Sequence, residues 1–132
     1  MITFEEVGSM LDSIAEEIPK DFYNELNGGI VLLPDAKMHP ESHVGTPLYI
    51  LGEYHNDRKG YGGLGRYICI YYGSFVRIYS NLLSEHLRKE LKRVLVHEFT
   101  HHIESLAKEH GLEYKDMRRL NEYRQKVDGE HE

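Results

Sequence analysis

Apolar residues at the start of the chain recur at three- and four-residue intervals, the spacing of one face of an α-helix. The stripe consists of Phe4, Val7, Leu11, Ile14 and Ile18. Thr3 and Glu6 have the spacing of a capping box, and Pro19 interrupts the pattern at its other end. The pattern therefore predicts an N-terminal helix, followed by a short helical segment over residues 21–26.

Three apolar runs in the middle of the chain are short and predict β-strands. They cover residues 30–33, 48–54 and 66–72. The last run is the richest in β-branched and aromatic residues and gives the strongest strand signal. Gly73 and Ser74 interrupt it, and residues 75–79 should continue as a short strand or a turn.

Loops and two further helices complete the predicted order of elements. Prolines and glycines predict a loop over residues 35–47, and the glycine-rich residues 60–65 predict a flexible rim of a site. Ser84 is a suitable N-cap for a long helix over residues 85–110, and a final helix should cover residues 116–127. Helix, strands and then two helices, without repeats, predict a single α+β domain over the whole chain.

Composition narrows the classes of function. No apolar stretch approaches the roughly 18 residues of a membrane span, and the N-terminus lacks the features of a secretory signal. The single cysteine, Cys69, adds to the expectation of a cytoplasmic protein without a membrane anchor. The net charge of −6 argues against nucleic acid as a partner. Four basic residues near the C-terminus are better explained as a solvated face: Arg118, Arg119, Arg124 and Lys126.

The candidate chemistry lies in the predicted long helix. His97 and His101 are four residues apart, so both imidazoles leave the same face and can meet one zinc ion. Glu98 lies one residue further round, where a glutamate serves as general base to a zinc-bound water. Six apolar residues form a separate arc of this helix: Leu87, Leu91, Val94, Leu95, Phe99 and Leu106. His102 falls inside that arc and is predicted to be buried and hydrogen-bonded rather than a ligand.

The chain resembles the small bacterial zincin-like metallopeptidase family from residue 1 to at least residue 102. The resemblance rests on the first helix with residues 18–22, on residues 51–54 and 66–72, and on residues 96–102, which end in a doubled histidine. It implies a compact zincin-like domain with Zn²⁺ bound by His97 and His101, the two histidines of the motif that residues 97–101 form. The substrate does not follow from the resemblance.

The third zinc ligand is the open question. Many relatives follow the motif with a phenylalanine, a glycine turn and an aspartate, whereas this chain has Ile103, Glu104 and Ala107 at those places. The leading candidate is Glu104, on the same helix face as the two histidines. Glu122 and Asp116 on the final helix are the alternatives. Two loop histidines remain as further candidates: His43 and His55.

The predicted function is a zinc metallopeptidase that hydrolyses peptides or a protein substrate, with Glu98 as general base. If the strand over residues 66–72 lies at a sheet edge, it could pair with an extended peptide, but a core strand is the simpler expectation. Two alternatives remain. One is a zinc hydrolase of another amide, and the other is a non-catalytic metal-binding or partner-binding domain with the zincin fold. The oligomeric state is not predicted.

Overall fold

The computed structural model describes residues 2–43, 45, 47–57, 65–110 and 114–131. Its first helix, α1 (Phe4–Glu17), begins at the predicted capping box, in which Thr3 and Glu6 exchange side-chain and backbone hydrogen bonds. The apolar stripe faces inward, with Val7, Leu11 and Ile14 buried. A single 3₁₀ turn (Lys20–Tyr23) follows, shorter than the helical segment that the sequence predicts.

A three-stranded mixed sheet lies against the helices. Its strands are β1 (Gly29–Leu33), β4 (Gly52–Asp57) and β5 (Gly65–Tyr71), in the order β1-β5-β4. β5 pairs parallel with β1 and antiparallel with β4, so β5 is the central strand of this sheet. Alternation along β5 buries Ile68 and Ile70 completely in the core.

Two short strands form a separate antiparallel pair and correct two predictions. β2 (Lys37–Met38) lies within residues 35–47, which were predicted to be loop, and it pairs with β3 (Tyr49–Ile50). The predicted single strand over residues 48–54 is therefore divided between β3 and β4. The glycine-rich segment, residues 60–65, lies outside the described residues except for Gly65.

The prediction for residues 75–79 is wrong, because this segment belongs to a helix, α2 (Tyr72–Tyr79). Its aromatic residues Tyr72, Phe75 and Tyr79 are spaced by three and four positions, which is a helical period. Phe75 is fully buried, and Gly73 allows the backbone of residues 34–36 to approach closely. Tertiary packing therefore favours a helix where Gly73 and Ser74 alone would indicate a break.

Two longer helices follow: α3 (Ser84–His110) and α4 (Tyr114–His131). Both confirm the predicted helices, and α4 begins earlier and ends later than expected. The core forms between the sheet and helices α1, α3 and α4, where Leu95, Phe99 and Leu120 are fully buried. The α+β fold class is thereby confirmed. Within the described part of the chain, no helix combines the length and apolar character that crossing a membrane requires.

Candidate active site

Helix α3 presents two chemically different sides, as the sequence predicts. All six apolar residues of the predicted arc are buried, with Leu91, Leu95 and Phe99 almost completely enclosed. His97 and His101 are exposed on the other side and line a cleft of about 610 Å³. The helix therefore packs one side into the core and places both motif histidines in an open site.

The two histidines lie at the distance that shared metal binding requires. Their Nε2 atoms are 3.2 Å apart. Two nitrogens bound to one tetrahedral zinc at about 2.0–2.1 Å would be separated by about 3.3 Å. The pKa of His97 is lowered by partial burial and by the neighbouring charge of His101, which favours the neutral imidazole that binds metal. The pair therefore fits two ligand positions of a zinc ion.

Glu98 is the buried carboxylate of the same cleft. Its exposure is only 6% although it lines the cleft, and its carboxylate forms no hydrogen bond within the described residues. Burial raises the pKa of Glu98, the nearby His101 lowers it, and the negative charge of Glu53 raises it further. A carboxylate that is short of hydrogen-bond donors and raised in pKa is well suited to accept a proton.

Strand β4 forms the wall of the cleft opposite helix α3. Gly52, Glu53 and Tyr54 of this strand line the cleft together with the motif residues. A Cβ atom on Gly52 would lie 3.0 Å from Val94 Cγ1 and 3.2 Å from the carbonyl oxygen of Cys69. The absence of a side chain at Gly52 therefore allows the strand to lie directly against the motif helix.

The edge of the sheet beside the cleft is β4 rather than β5. Residues 66–72 could have formed an edge strand, but β5 has neighbours on both sides. Its role in pairing with a peptide is thereby excluded, and the simpler expectation of a core strand is confirmed. In the described sheet, β4 is the strand with one unpaired edge on the side of the cleft.

The candidate third ligands occupy different places. Glu104 lines the cleft, but its Oε2 atom lies 3.7 Å from Nδ1 of His101, whereas Nε2 is the atom that faces His97. Glu122 is exposed and forms an ion pair with Arg118 on its own helix at 3.3 Å. The side chain of Asp116 lies outside the described part of the structure.

The two further candidate histidines, His55 on β4 and His43, do not join His97 and His101 in a group of three possible ligands. His55 stacks on Tyr67 with ring centroids 4.8 Å apart, and His43 is exposed. Among the described residues, no three histidine, cysteine, aspartate or glutamate side chains are grouped so that they could hold a metal ion. The assignment of Glu104 as third ligand therefore stays a prediction.

His102 is fully buried and hydrogen-bonded, which confirms the expectation from the sequence. Its Nε2 atom lies 2.8 Å from the carbonyl oxygen of Asn24, and its Nδ1 atom lies 2.9 Å from the hydroxyl of Tyr54. Burial lowers the pKa of His102, which favours the neutral ring. A carbonyl can only accept, so Nε2 carries the proton and the Tyr54 hydroxyl donates to Nδ1. This contact joins β4, the strand that lines the cleft, to helix α3.

Glu53 is a charged group of the cleft that sequence analysis did not identify. Lys37 Nζ and the Tyr71 hydroxyl donate to its Oε1 atom at 2.6 and 2.5 Å. Burial raises the pKa of Glu53, but these two hydrogen bonds and the charge of Lys37 outweigh it and lower the pKa overall. Glu53 and Tyr54 lie within residues 51–54, which carry part of the family resemblance, but strand alternation alone does not reveal which residues face a cleft.

A helix that carries two histidines and a glutamate beside an edge strand defines a protein of the zincin type. The profile of the zincin-like metallopeptidase family matches residues 30–123, and the chain belongs to this family. Among solved structures, it is similar to a conserved hypothetical protein from Thermus thermophilus, with 32% identity and a TM-score of 0.68. That similarity covers 81% of this chain and 99% of the other. No curated protein matches the chain.

Proposed function

We propose that the protein is a zinc-dependent peptidase that uses Glu98 as general base. The observation that carries this proposal is the 3.2 Å separation of the two Nε2 atoms of His97 and His101, beside a buried carboxylate in one cleft. A purely structural metal site has no need of a buried base without hydrogen-bond donors. Membership of the zincin-like metallopeptidase family supports the same reaction class.

The residues of the cleft have separate roles in this reaction. His97 and His101 would hold the zinc ion through Nε2, and Glu104 is the candidate for a third position. When bound, zinc supplies Lewis acidity, which lowers the pKa of water and polarises a carbonyl group. Glu98 accepts the proton of the attacking water on its carboxylate and returns it to the nitrogen of the leaving amine. The enclosure of Glu98 keeps its carboxylate poorly solvated and basic.

The open edge of β4 supplies a way to hold a peptide. An extended substrate can add to an exposed strand edge through main-chain hydrogen bonds, and alternate side chains then face the two walls. β4 lies along the cleft that contains the motif histidines. We therefore assign peptides or extended segments of a protein as the substrate class.

A second candidate function is a metal-binding or partner-binding domain without turnover. The observation that favours it is that the described residues bring together the two motif histidines without a third possible metal ligand. A site with only two protein ligands would hold zinc weakly. Measurements of zinc affinity and of turnover therefore separate the two candidates.

Zinc binding is tested by titrating the metal-free protein with zinc in competition with a chromophoric chelator. We expect about one zinc per chain and loss of binding when His97 and His101 are both replaced by alanine. Glu104→Ala should weaken binding, and Glu122→Ala is the matched control on the neighbouring helix. Equal affinity in wild type and the double histidine variant would place the zinc elsewhere, and weakening by Glu122→Ala alone would assign the third ligand to α4.

The role of Glu98 as general base is tested by Glu98→Gln, which removes proton acceptance and preserves the size of the side chain. Hydrolysis of a peptide library should fall by about 10²–10⁴-fold with zinc affinity unchanged, since this is the usual contribution of a general base. Turnover equal to wild type would refute the role of Glu98. Zinc binding without any turnover by the wild-type protein would favour the non-catalytic domain.

A further inference from the structure

A second, smaller cavity adjoins the motif pair. It measures about 130 Å³ and is lined by Arg93, His97, Arg124 and Asp128. His97 lines both this cavity and the main cleft. A group bound in the small cavity would therefore lie directly beside a proposed zinc ligand, close to the bond that is cut.

The two guanidinium groups differ in how they are held. Arg93 is fixed by Glu90, whose Oε2 atom accepts from Nε at 3.2 Å and from Nη2 at 2.9 Å. The hydroxyl of Tyr79, which donates to the same Oε2 atom at 3.2 Å, also interacts with Arg93. Glu90 is itself buried, so it orients the Arg93 side chain firmly.

Arg124 differs from its basic neighbours on α4. Arg118 pairs with Glu122, and Arg119 pairs with Asp21. Arg124 forms no ion pair or hydrogen bond with any described residue, although Asp128 lines the same cavity. Of the cluster that the sequence explained as a solvated face, Arg124 is therefore the guanidinium group that faces the cavity beside the motif.

The cavity beside His97 is lined by two guanidinium groups and one carboxylate. A guanidinium group that has donors available is suited to bind a carboxylate through paired hydrogen bonds. The chain as a whole is acidic, with a net charge of −6, so two guanidinium groups beside its cleft are a local exception.

We propose that Arg124, supported by Arg93, forms a subsite that binds a carboxylate of the peptide substrate next to the cleavage site. This inference rests on the proposed peptidase function and specifies its substrate class as peptides that present an anionic group close to the scissile bond. The carboxylate is supplied by a free C-terminus or by an acidic side chain, and both would be read by the same guanidinium groups. Asp128 lies at the same cavity and opposes the binding of an anion there.

The subsite is tested by peptide binding to Glu98→Gln protein loaded with zinc, which removes turnover from the measurement. A mixed pool of N-acetylated hexapeptides is prepared once as free acids and once as C-terminal amides. Peptides retained by the immobilised protein are quantified by mass spectrometry. The free acids should be enriched over the amides by about tenfold, the contribution of one charge-assisted hydrogen bond of about 1.4 kcal/mol. Within the amide pool, enrichment of peptides with aspartate or glutamate would identify a side-chain carboxylate as the source.

Three variants, each made in the Glu98→Gln protein, separate the subsite from a general effect of charge. Arg124→Gln should abolish the enrichment of carboxylates, while Arg118→Gln, which removes the same charge from the same helix, should preserve it. Asp128→Asn should increase the enrichment, because it removes the opposing charge. A change from 0.1 to 1 M salt shortens the screening length from about 10 to about 3 Å and should reduce the enrichment.

The proposal is overturned if acids, amides and acidic peptides are retained equally by the parent protein. It is also overturned if Arg124→Gln retains the full enrichment or if Arg118→Gln loses as much as Arg124→Gln. Failure of the peptidase function has a different signature, which is absence of hydrolysis by the wild-type protein whatever the terminal group. The binding preference is measured independently of that result.

Discussion

Tyr54→Phe tests the contact that joins the cleft strand to the motif helix. The change removes one hydroxyl oxygen and keeps the aromatic ring, which packs 5.4 Å from the ring of His102. The hydroxyl is the group 2.9 Å from Nδ1 of His102, and the other ring nitrogen is already engaged with Asn24. Since His102 is completely buried, the variant leaves its Nδ1 lone pair without a donor in a place that water does not reach.

The expected loss of unfolding free energy follows from leaving a buried acceptor without its donor. A hydrogen bond contributes about 1 kcal/mol net, whereas a buried acceptor that loses its donor costs about 1–3 kcal/mol. For a domain of 132 residues, the unfolding entropy of about 2.1 cal/mol/K per residue makes each kcal/mol equivalent to about 4 °C in Tm. Tyr54→Phe should therefore lower Tm by about 4–10 °C.

The assay is denaturant and thermal unfolding followed by circular dichroism. Tyr49→Phe is the matched control, because the Tyr49 hydroxyl forms no hydrogen bond with the described residues. His102→Leu and the double variant complete a cycle, in which the two changes should cost less together than the sum of their separate effects by about 1 kcal/mol or more. A Tyr54→Phe protein as stable as the Tyr49→Phe control would refute the reasoning, as would strict additivity in the cycle.

Three further changes test other parts of the structure. The pKa of Glu53 is lowered from its ordinary value of 4.5, so its ionised form stabilises the fold above that pH and the contribution is lost as pH falls through the folded-state pKa. Glu53→Gln should cost about 1–2 kcal/mol near neutral pH and less in acid, as measured by denaturation across pH, and a constant difference would contradict this. Gly73→Ala would place a Cβ atom 2.6 Å from the backbone nitrogen of Ala36 and should cost about 1–3 kcal/mol of unfolding free energy. Gly8→Ala, with 3.8 Å to the nearest atom, should instead stabilise α1 by about 0.5–1 kcal/mol in the same chemical denaturation.

Local signals along the chain predict the helices best. The capping box at Thr3, the inward stripe of α1 and the two sides of α3 all depend on residues within a few turns of one another. The exception is α2, where the helical spacing of Tyr72, Phe75 and Tyr79 was present but Gly73 and Ser74 suggested a break. Gly73 is required there by the close approach of another chain segment, which a local pattern does not show.

Long-range pairing explains what the sequence could not predict. The strand signal of β5 is strong because residues on both of its faces are buried, but that signal does not give the order of the strands in the sheet. The cleft wall is consequently the less apolar β4, whose Glu53 and Tyr54 find partners on β2, β5 and α3. The spacing of His97 and His101 could be predicted because one helix fixes it, whereas any third ligand outside α3 would depend on tertiary contacts that the sequence does not show.

The geometry of the motif pair depends on the packing of α3 rather than on contacts within the cleft. His97 and His101 are hydrogen-bonded to each other, while the residues that flank them in sequence, Val96 and His102, are buried. The packing of the 27-residue helix against the core therefore fixes the distance between the two Nε2 atoms. The opposite wall, β4, contacts α3 through the Tyr54–His102 and Asn56–Ser105 hydrogen bonds and the close approach at Gly52. Because the core side of α3 holds the two histidines, the distance between their Nε2 atoms should be the same with and without substrate.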